Sequence, residues 1–395
     1  MIVLAGASVV LPDRVMDDAT VVIDGDRIVE VSRGAPAASA RSLRGHFILP
    51  GFVDLHVHGV AGIDVFDGDE AVRAMARAMP RFGVTAFAPT SIACGPDRLG
   101  RLLHAVRRAR SGPEPGAARV LPAHLESNFV SPEWAGAQPL SCLRSPRRPA
   151  KPAGSAGDFS ADDILAVIDR WRSDVGVATL APELDGGDEL VRWLLDRGIR
   201  ISLGHSGATF EQATAAIDAG ATRATHLFNR MRPMSHRDPG LVGAVLARDE
   251  IATEIVCDGC HVHPAVVRLA IAAKTPSRVM AITDGTAGSG LPEGSSATLG
   301  GLPITVRDTA RLDDGTMAGS VLTMDRAYRF LTSAVSLNPV EAAHVCASTP
   351  ARHAGLQELG AIAPGFVADL VVLDASLAVA KTYVGGVQVY SRTPA

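Results

Sequence analysis

No apolar run in the chain approaches the roughly 20 residues needed to span a bilayer. The opening "MIVLAGASVVLPDR" also lacks the basic start and small-residue cleavage site of a secretory signal. The expectation is a cytoplasmic protein with no membrane partner. Neither sign of charge is in large excess: 38 Lys and Arg stand against 42 Asp and Glu, a net charge of -4. That balance offers no long-range pull on a polyanion, and a nucleic-acid partner is not expected. Cysteine is scarce as well. Cys94, Cys142, Cys257, Cys260 and Cys346 form an odd, scattered set, which reads as reduced thiols rather than a disulfide framework. "CDGC" (257–260) has the spacing of a redox or zinc pair, but no second pair completes a four-thiolate site, so small buried hydrophobes are the expected role.

What is present suits a large core: 395 residues, 47% hydrophobic and 20% charged. The first fifty residues read as short strands ("MIVLAGASVVL", "ATVVIDGDRIVEVS", "SLRGHFILPG"), and the same texture returns in "GAIAPGFVADLVVLD" and "AKTYVGGVQVYSR". Both termini are expected to form one small β-sandwich domain, 1–50 with 356–395, bracketing a domain over 51–355. Within the bracket, eight strand-like runs ("FVDLHVHG", "TAFAPTSI", "RVLPAHLE", "VATLAPE", "RISLGHS", "TRATHLF", "EIVCDG", "VMAITDG") alternate with helix-period segments such as "DRLGRLLHAVRRAR" and "HPAVVRLAIAAK". Eight such units predict an α/β fold, a (β/α)8 barrel, whose catalytic residues sit at the C-terminal ends of the strands. The basic, Pro/Gly/Ser-rich stretch 141–158 reads as a mobile loop after the third strand.

Polar residues cluster at those ends. The first run carries His56 and His58, the third His124 and Glu126, the fifth His205, the sixth His226 and the eighth Asp284. Because a strand alternates its faces, His56 and His58 share one face, as do His124 and Glu126. Imidazole and carboxylate ligands suit zinc, or iron and manganese in a more oxygen-rich site. Glu126, His205 and His226 make a three-ligand set, and His56 and His58 are placed for a second ion with Glu126 as the bridge. One or two divalent ions per subunit are expected. Asp284 is placed to take a proton from water and deliver it to a leaving group. Glu183, ending the fourth run, is expected to be a structural hydrogen-bonding group.

"PGFVDLHVHG" resembles the opening of the amidohydrolase superfamily. "ISLGHSGATFEQATAAIDAGATRATHLFNRM", "RDPGLVGAVL", "DGCHVHP", "AITDG" and "GTMAGSVLTMD" resemble the N-acetylglucosamine-6-phosphate deacetylase family, through nearly the whole chain. The resemblance implies that Glu126, His205 and His226 bind metal and that Asp284 is the acid/base. It implies a (β/α)8 TIM barrel of the amidohydrolase type. Asn229 and Arg237 match residues at the sugar-phosphate site, His261 matches a substrate-binding histidine, and Ala318 and Gly319 lie in a matching loop. The chain departs from the family pattern at Ser127 and Asn128, which replace Gly-Pro, and at Gln138, which replaces a histidine that binds the acetamide. Arg230 stands where the family usually has a small residue, so it is placed to crowd or recruit substrate. The implied activity is removal of acetate from an N-acetylated amino sugar, foremost the 6-phosphate of N-acetylglucosamine, by a homodimer. Another amide substrate on the same fold, or a non-catalytic sugar-binding protein, are the alternative readings.

Overall fold

The computed structural model describes residues 1–34, 40–147 and 159–393. Eight parallel strands form the barrel: β1 (Phe52–Val57), β2 (Val84–Ser91), β3 (Ala123–Glu126), β4 (Val175–Leu180), β5 (Arg200–Leu203), β6 (Arg223–Ala224), β7 (Ala252–Val256) and β8 (Val279–Ile282). Each pairs with the next in chain order, and a parallel bridge between Val57 and Gly285 closes the ring. Every residue of β1 and of β2 is buried, as expected where helices cover the outside and side chains fill the inside. Helices lie between strands, among them Ala71–Ala78, Pro96–Ser111, Gly187–Leu195, Phe210–Asp218 and Pro264–Lys274, all of which the helical periodicity predicts. The helix Gly240–Ala247 ("GLVGAVLA") has no such periodicity, because nearly all of it is buried.

The barrel interior is polar rather than a stack of aliphatic layers. His124 Nδ1 lies 3.1 Å from the Leu55 carbonyl, and its Nε2 lies 2.7 Å from Thr179 Oγ1, which continues to Thr225 (2.7 Å) and Ser202 (2.6 Å). Thr283 donates to Asp54 at 2.6 Å. Both strand pairs predicted to share a face do so: His56 and His58 approach at Nε2 to Nε2, 3.2 Å, while His124 and Glu126 both point inward.

The two chain ends share a single eight-stranded sheet. Phe47–Pro50 joins the N-terminal strands Ile2–Val10, Val15–Asp24 and Arg27–Arg33 to the C-terminal strands Leu370–Leu373, Val379–Val384 and Val387–Ser391. This sheet has its own apolar core, including Leu4, Val21, Ile48 and Tyr383. A three-stranded sheet over 296–311 follows β8 and was not anticipated from the sequence. Of the basic stretch 141–158, residues 148–158 lie outside the described residues. No helix among the described residues is long and apolar enough to cross a membrane.

Candidate active site

Three of the rim residues sit two positions beyond their strand ends, and all three have left-handed backbones. His205 follows β5 with φ 47°, His226 follows β6 with φ 29°, and Asp284 follows β8 with φ 48°. Residues other than glycine rarely hold this conformation, and such strain gathers at functional sites. Here it takes each side chain out of the strand's alternation and into the mouth. The loop after His205 is fixed by Glu183, whose carboxylate accepts from Ser206 Oγ (2.7 Å) and from the Gly207 amide (2.6 Å). A capping box between Thr209 and Gln212 then starts the helix Phe210–Asp218. Gly319 (φ 65°) is required beside Asp284, because a Cβ there would lie 2.9 Å from the Asp284 carbonyl oxygen.

At the centre, Glu126 Oε1 lies 2.9 Å from His205 Nε2 and 2.9 Å from His226 Nε2, with the two nitrogens 3.0 Å apart. Asp284 Oδ1 stands 3.3 Å from His56 Nε2 and 3.2 Å from His58 Nε2, and Glu126 Oε2 is 3.5 Å from His58 Nε2. The far side of each ring sets its tautomer. His205 Nδ1 donates to the Trp134 carbonyl (2.8 Å), His58 Nδ1 to the Thr90 carbonyl (3.1 Å), and His56 Nδ1 to Glu254 Oε2 (3.1 Å). A carbonyl or carboxylate only accepts, so these three histidines turn lone pairs at Nε2 toward one another and toward carboxylate oxygens. Lone pairs this close repel unless a proton or a cation stands between them, and the donor set is the nitrogen-and-oxygen kind that binds a divalent ion. Three overlapping groups satisfy ligand spacing among the described residues: Glu126–His205–His226, His56–His58–Glu126 and His56–His124–Glu254. A proton competes for the same place: although burial lowers its affinity, the carboxylates of Asp284, Glu254 and Glu126 push the His56 imidazole up to about 10. Burial raises the Glu126 and Asp284 carboxyls, but the facing histidines outweigh it, holding Glu126 well below and Asp284 below the usual carboxylate range.

His124 lies near this cluster yet takes no place at the rim. Both of its nitrogens are used within the barrel, and burial pushes the ring down to about 3, so it is a neutral structural group. The residue that sequence reasoning missed is Glu254, fully buried in β7, which orients His56. Its signal was a carboxylate opening the apolar stretch "EIVC" of the seventh run.

A cavity of about 320 Å3 opens above the cluster, walled by Gln138, Asn229, Arg230, His261 and Gly319 and by apolar groups including Trp134 and Phe228. His261 is held by Asp258, whose Oδ2 accepts from Nδ1 at 2.7 Å while Oδ1 takes the His261 and Cys260 amides. The "CDGC" stretch therefore serves through its aspartate. Cys257 and Cys260 are free thiols, Cys257 buried as expected and Cys260 exposed. Asn229 Nδ2 leans on the His226 and Leu227 carbonyls at 3.3 and 3.4 Å. Arg230 lies against Gly136 and makes no side-chain hydrogen bond or ion pair among the described residues. Arg237 is exposed on the 233–238 segment and does not line the cavity. Asp238 pairs with Arg232 at 2.5 Å rather than with Arg237. Ala318 is buried in the apolar cluster behind Gly319.

The departures at 127, 128 and 138 have structural partners. Ser127 Oγ donates to the Thr179 carbonyl (2.6 Å), and Asn128 Nδ2 ties the Cys94 and Cys142 carbonyls together at 2.8 Å each. Gln138 Oε1 accepts from the Ala93 amide (2.7 Å), which turns its amide nitrogen to Glu126 Oε2 at 2.5 Å.

The closed parallel barrel and its inward histidine–carboxylate cluster define a class, a barrel hydrolase built to hold a divalent cation. The sequence pattern of the Amidohydrolase family matches residues 47–389. An N-acetylglucosamine-6-phosphate deacetylase of Lysinibacillus sphaericus is 34% identical over 91% of this chain and 90% of its own. An N-acetylgalactosamine-6-phosphate deacetylase of Escherichia coli O157:H7 is 33% identical, covering 86% of each. The structure of a mutant N-acetyl-D-glucosamine-6-phosphate deacetylase from Mycobacterium smegmatis, in complex with N-acetyl-D-glucosamine-6-phosphate, superposes with a TM-score of 0.87 at 32% identity, over 99% of both chains. The chain belongs to the amidohydrolase family and, within it, to the N-acetylglucosamine-6-phosphate deacetylase family. It is a hydrolase acting on a carbon–nitrogen bond.

Proposed function

We propose that this enzyme hydrolyses the acetamide of N-acetylglucosamine 6-phosphate, releasing acetate and glucosamine 6-phosphate. The observation that carries the reading is the pairing of one cavity's two ends: a floor of converging lone pairs with Asp284, and a wall bearing Arg230, which has no side-chain partner among the described residues. Glu126, His205 and His226 would hold a divalent ion, zinc by their nitrogen-rich set, with His56 and His58 offering a second place. Such an ion supplies Lewis acidity and lowers the pKa of water.

The remaining work falls to side chains of the chain. Asp284, kept ionised beside His56 and His58, accepts the proton of the attacking water and returns it to the amine nitrogen as the C–N bond breaks. His261, with Nδ1 committed to Asp258, turns Nε2 toward substrate, and Gln138 has a second amide hydrogen for the acetyl oxygen. Asn229 and Arg230 receive the sugar phosphate, a guanidinium binding phosphate through two parallel hydrogen bonds. A phosphorylated substrate does not cross membranes unaided, which favours a cytoplasmic setting. The family resemblance favours a homodimer.

The test is a substrate panel assayed for released acetate: N-acetylglucosamine 6-phosphate, its galactosamine epimer, and N-acetylglucosamine itself. Preference for the glucosamine phosphate is expected. Equal turnover of the unphosphorylated sugar removes the phosphate from the reading, and preference for the epimer reassigns the sugar. Glu126→Gln should lose bound metal by elemental analysis, whereas full occupancy in that variant would displace Glu126 from the ligand set.

A further inference from the structure

At the opposite end of the barrel, the N-terminal ends of β5 to β8 open into a second cavity of about 480 Å3. Its walls include Arg200, the first residue of β5, Glu250 before β7, Ser277 and Arg278 before β8, and Arg352 with His353 on the helix Thr349–Ala354. The strands themselves separate this hollow from the metal-ligand rim.

Its charge is unbalanced. Arg200 and Arg278 make no side-chain hydrogen bond or ion pair among the described residues. Among the described residues Arg352 reaches only neutral oxygens, the Thr349 hydroxyl at 3.3 Å and the Ser277 carbonyl at 3.4 Å. The carboxylate in the wall, Glu250, is engaged by Arg248 Nε at 2.8 Å. Behind the wall Arg223 is buried, feels the buried Glu254 carboxylate, donates to the His353 carbonyl, and leaves Nε without a hydrogen-bond partner among the described residues. His353 feels all of them: burial first, then Arg223, Arg352, Arg278 and Arg200, push its ring down to about 4.

Like charges gathered on one hollow repel; Arg200 and Arg352 are exposed and Arg278 half-buried, so water screens part of that repulsion, but not at the buried Arg223. A lone surface arginine can swing into water, but Arg223 is enclosed and Arg352 is tied to the wall. An anion resolves the repulsion, and guanidinium groups match a phosphate group in geometry as well as charge. The cavity also leaves room for a small organic body beyond the phosphate. We propose that this hollow binds the phosphate group of a small phosphorylated metabolite, at a site distinct from the catalytic pocket.

The test uses the full-length enzyme in chloride buffer of constant ionic strength, with Tm followed as inorganic phosphate or glucose 6-phosphate is titrated in. Three proteins are compared: wild type, Arg278→Ala/Arg352→Ala at the hollow, and Arg230→Ala at the catalytic mouth. A saturable rise in Tm is expected in wild type and in Arg230→Ala, at lower concentrations of the sugar phosphate than of phosphate. The double variant should need about tenfold more ligand or greater, the loss of a charged hydrogen bond or more. An unaltered rise in the double variant, or a rise abolished by Arg230→Ala alone, overturns the site. Equal responses to both probes overturn the organic body and leave free phosphate as the occupant. If the double variant fails to fold, as judged by circular dichroism, Arg278→Gln and Arg352→Gln taken singly carry the same comparison.

Discussion

Glu254 Oε2 lies 3.1 Å from His56 Nδ1, with the carboxylate fully buried and its other oxygen without a hydrogen-bond partner. A carboxylate placed behind a ligating histidine fixes the ring's tautomer and strengthens its free nitrogen as a donor to metal. Glu254→Gln retains the shape but not the charge. Affinity for a divalent ion at the His56 side should fall about 10- to 100-fold, read by competition with a chelator. Unchanged metal affinity in a folded variant would reduce Glu254 to a packing residue.

Asp284→Asn keeps the size of the side chain but removes its basic oxygen. With metal content equal to wild type, kcat should drop about 10²-fold or more while KM changes little, the signature of a lost proton transfer. Near-normal turnover in the metal-loaded variant would move the acid/base role elsewhere.

Arg230 is the guanidinium in the cavity wall, so Arg230→Ala should reduce kcat/KM for the phosphorylated sugar by about ten- to a hundredfold and leave the unphosphorylated sugar nearly unaffected. Arg237→Ala, assayed beside it, reports whether the exposed 233–238 segment also reaches substrate. A loss of equal size on both sugars would assign Arg230 to shaping the pocket rather than to phosphate.

His353 predicts a pH dependence. Its ring titrates near 4 in the folded protein, against 6.5 ordinarily, so between those values the unfolded chain binds more protons. The neutral ring's contribution to stability is full above about pH 6.5 and is lost as pH falls toward 4. His353→Asn cannot charge, and its Tm should fall less steeply than that of wild type across this window. An imidazole titration near 6.5 by NMR in the folded protein would contradict the shift.

Most of the barrel was legible because each strand carries its own apolar run, and parity alone put His56 with His58 and His124 with Glu126. Position along the strand was less legible. His205, His226 and Asp284 reach the mouth from left-handed positions past the strand ends, a backbone choice that no side-chain pattern announces. Gln138 shows another limit: its bond to Glu126 arises only once the segment 127–147 folds back over Ala93. Glu254 was visible as a residue but not as a neighbour, since its partner lies 198 positions away. Parity also marked His124 and Glu126 alike, although only the second reaches the rim.

The shared terminal sheet bears on how the chain is made. Pro50 pairs with Leu370, 320 positions later, so the edge of Phe47–Pro50 waits for its neighbour while those residues are made. At typical elongation rates that interval is on the order of tens of seconds. During it the N-terminal strands present an open hydrogen-bonding edge, a template for pairing with other nascent chains. The barrel can assemble strand by strand as it emerges, whereas the terminal sheet cannot close before its last strands leave the ribosome. Expression yield, more than the finished enzyme's stability, is therefore where damage to Leu370–Leu373 would first register.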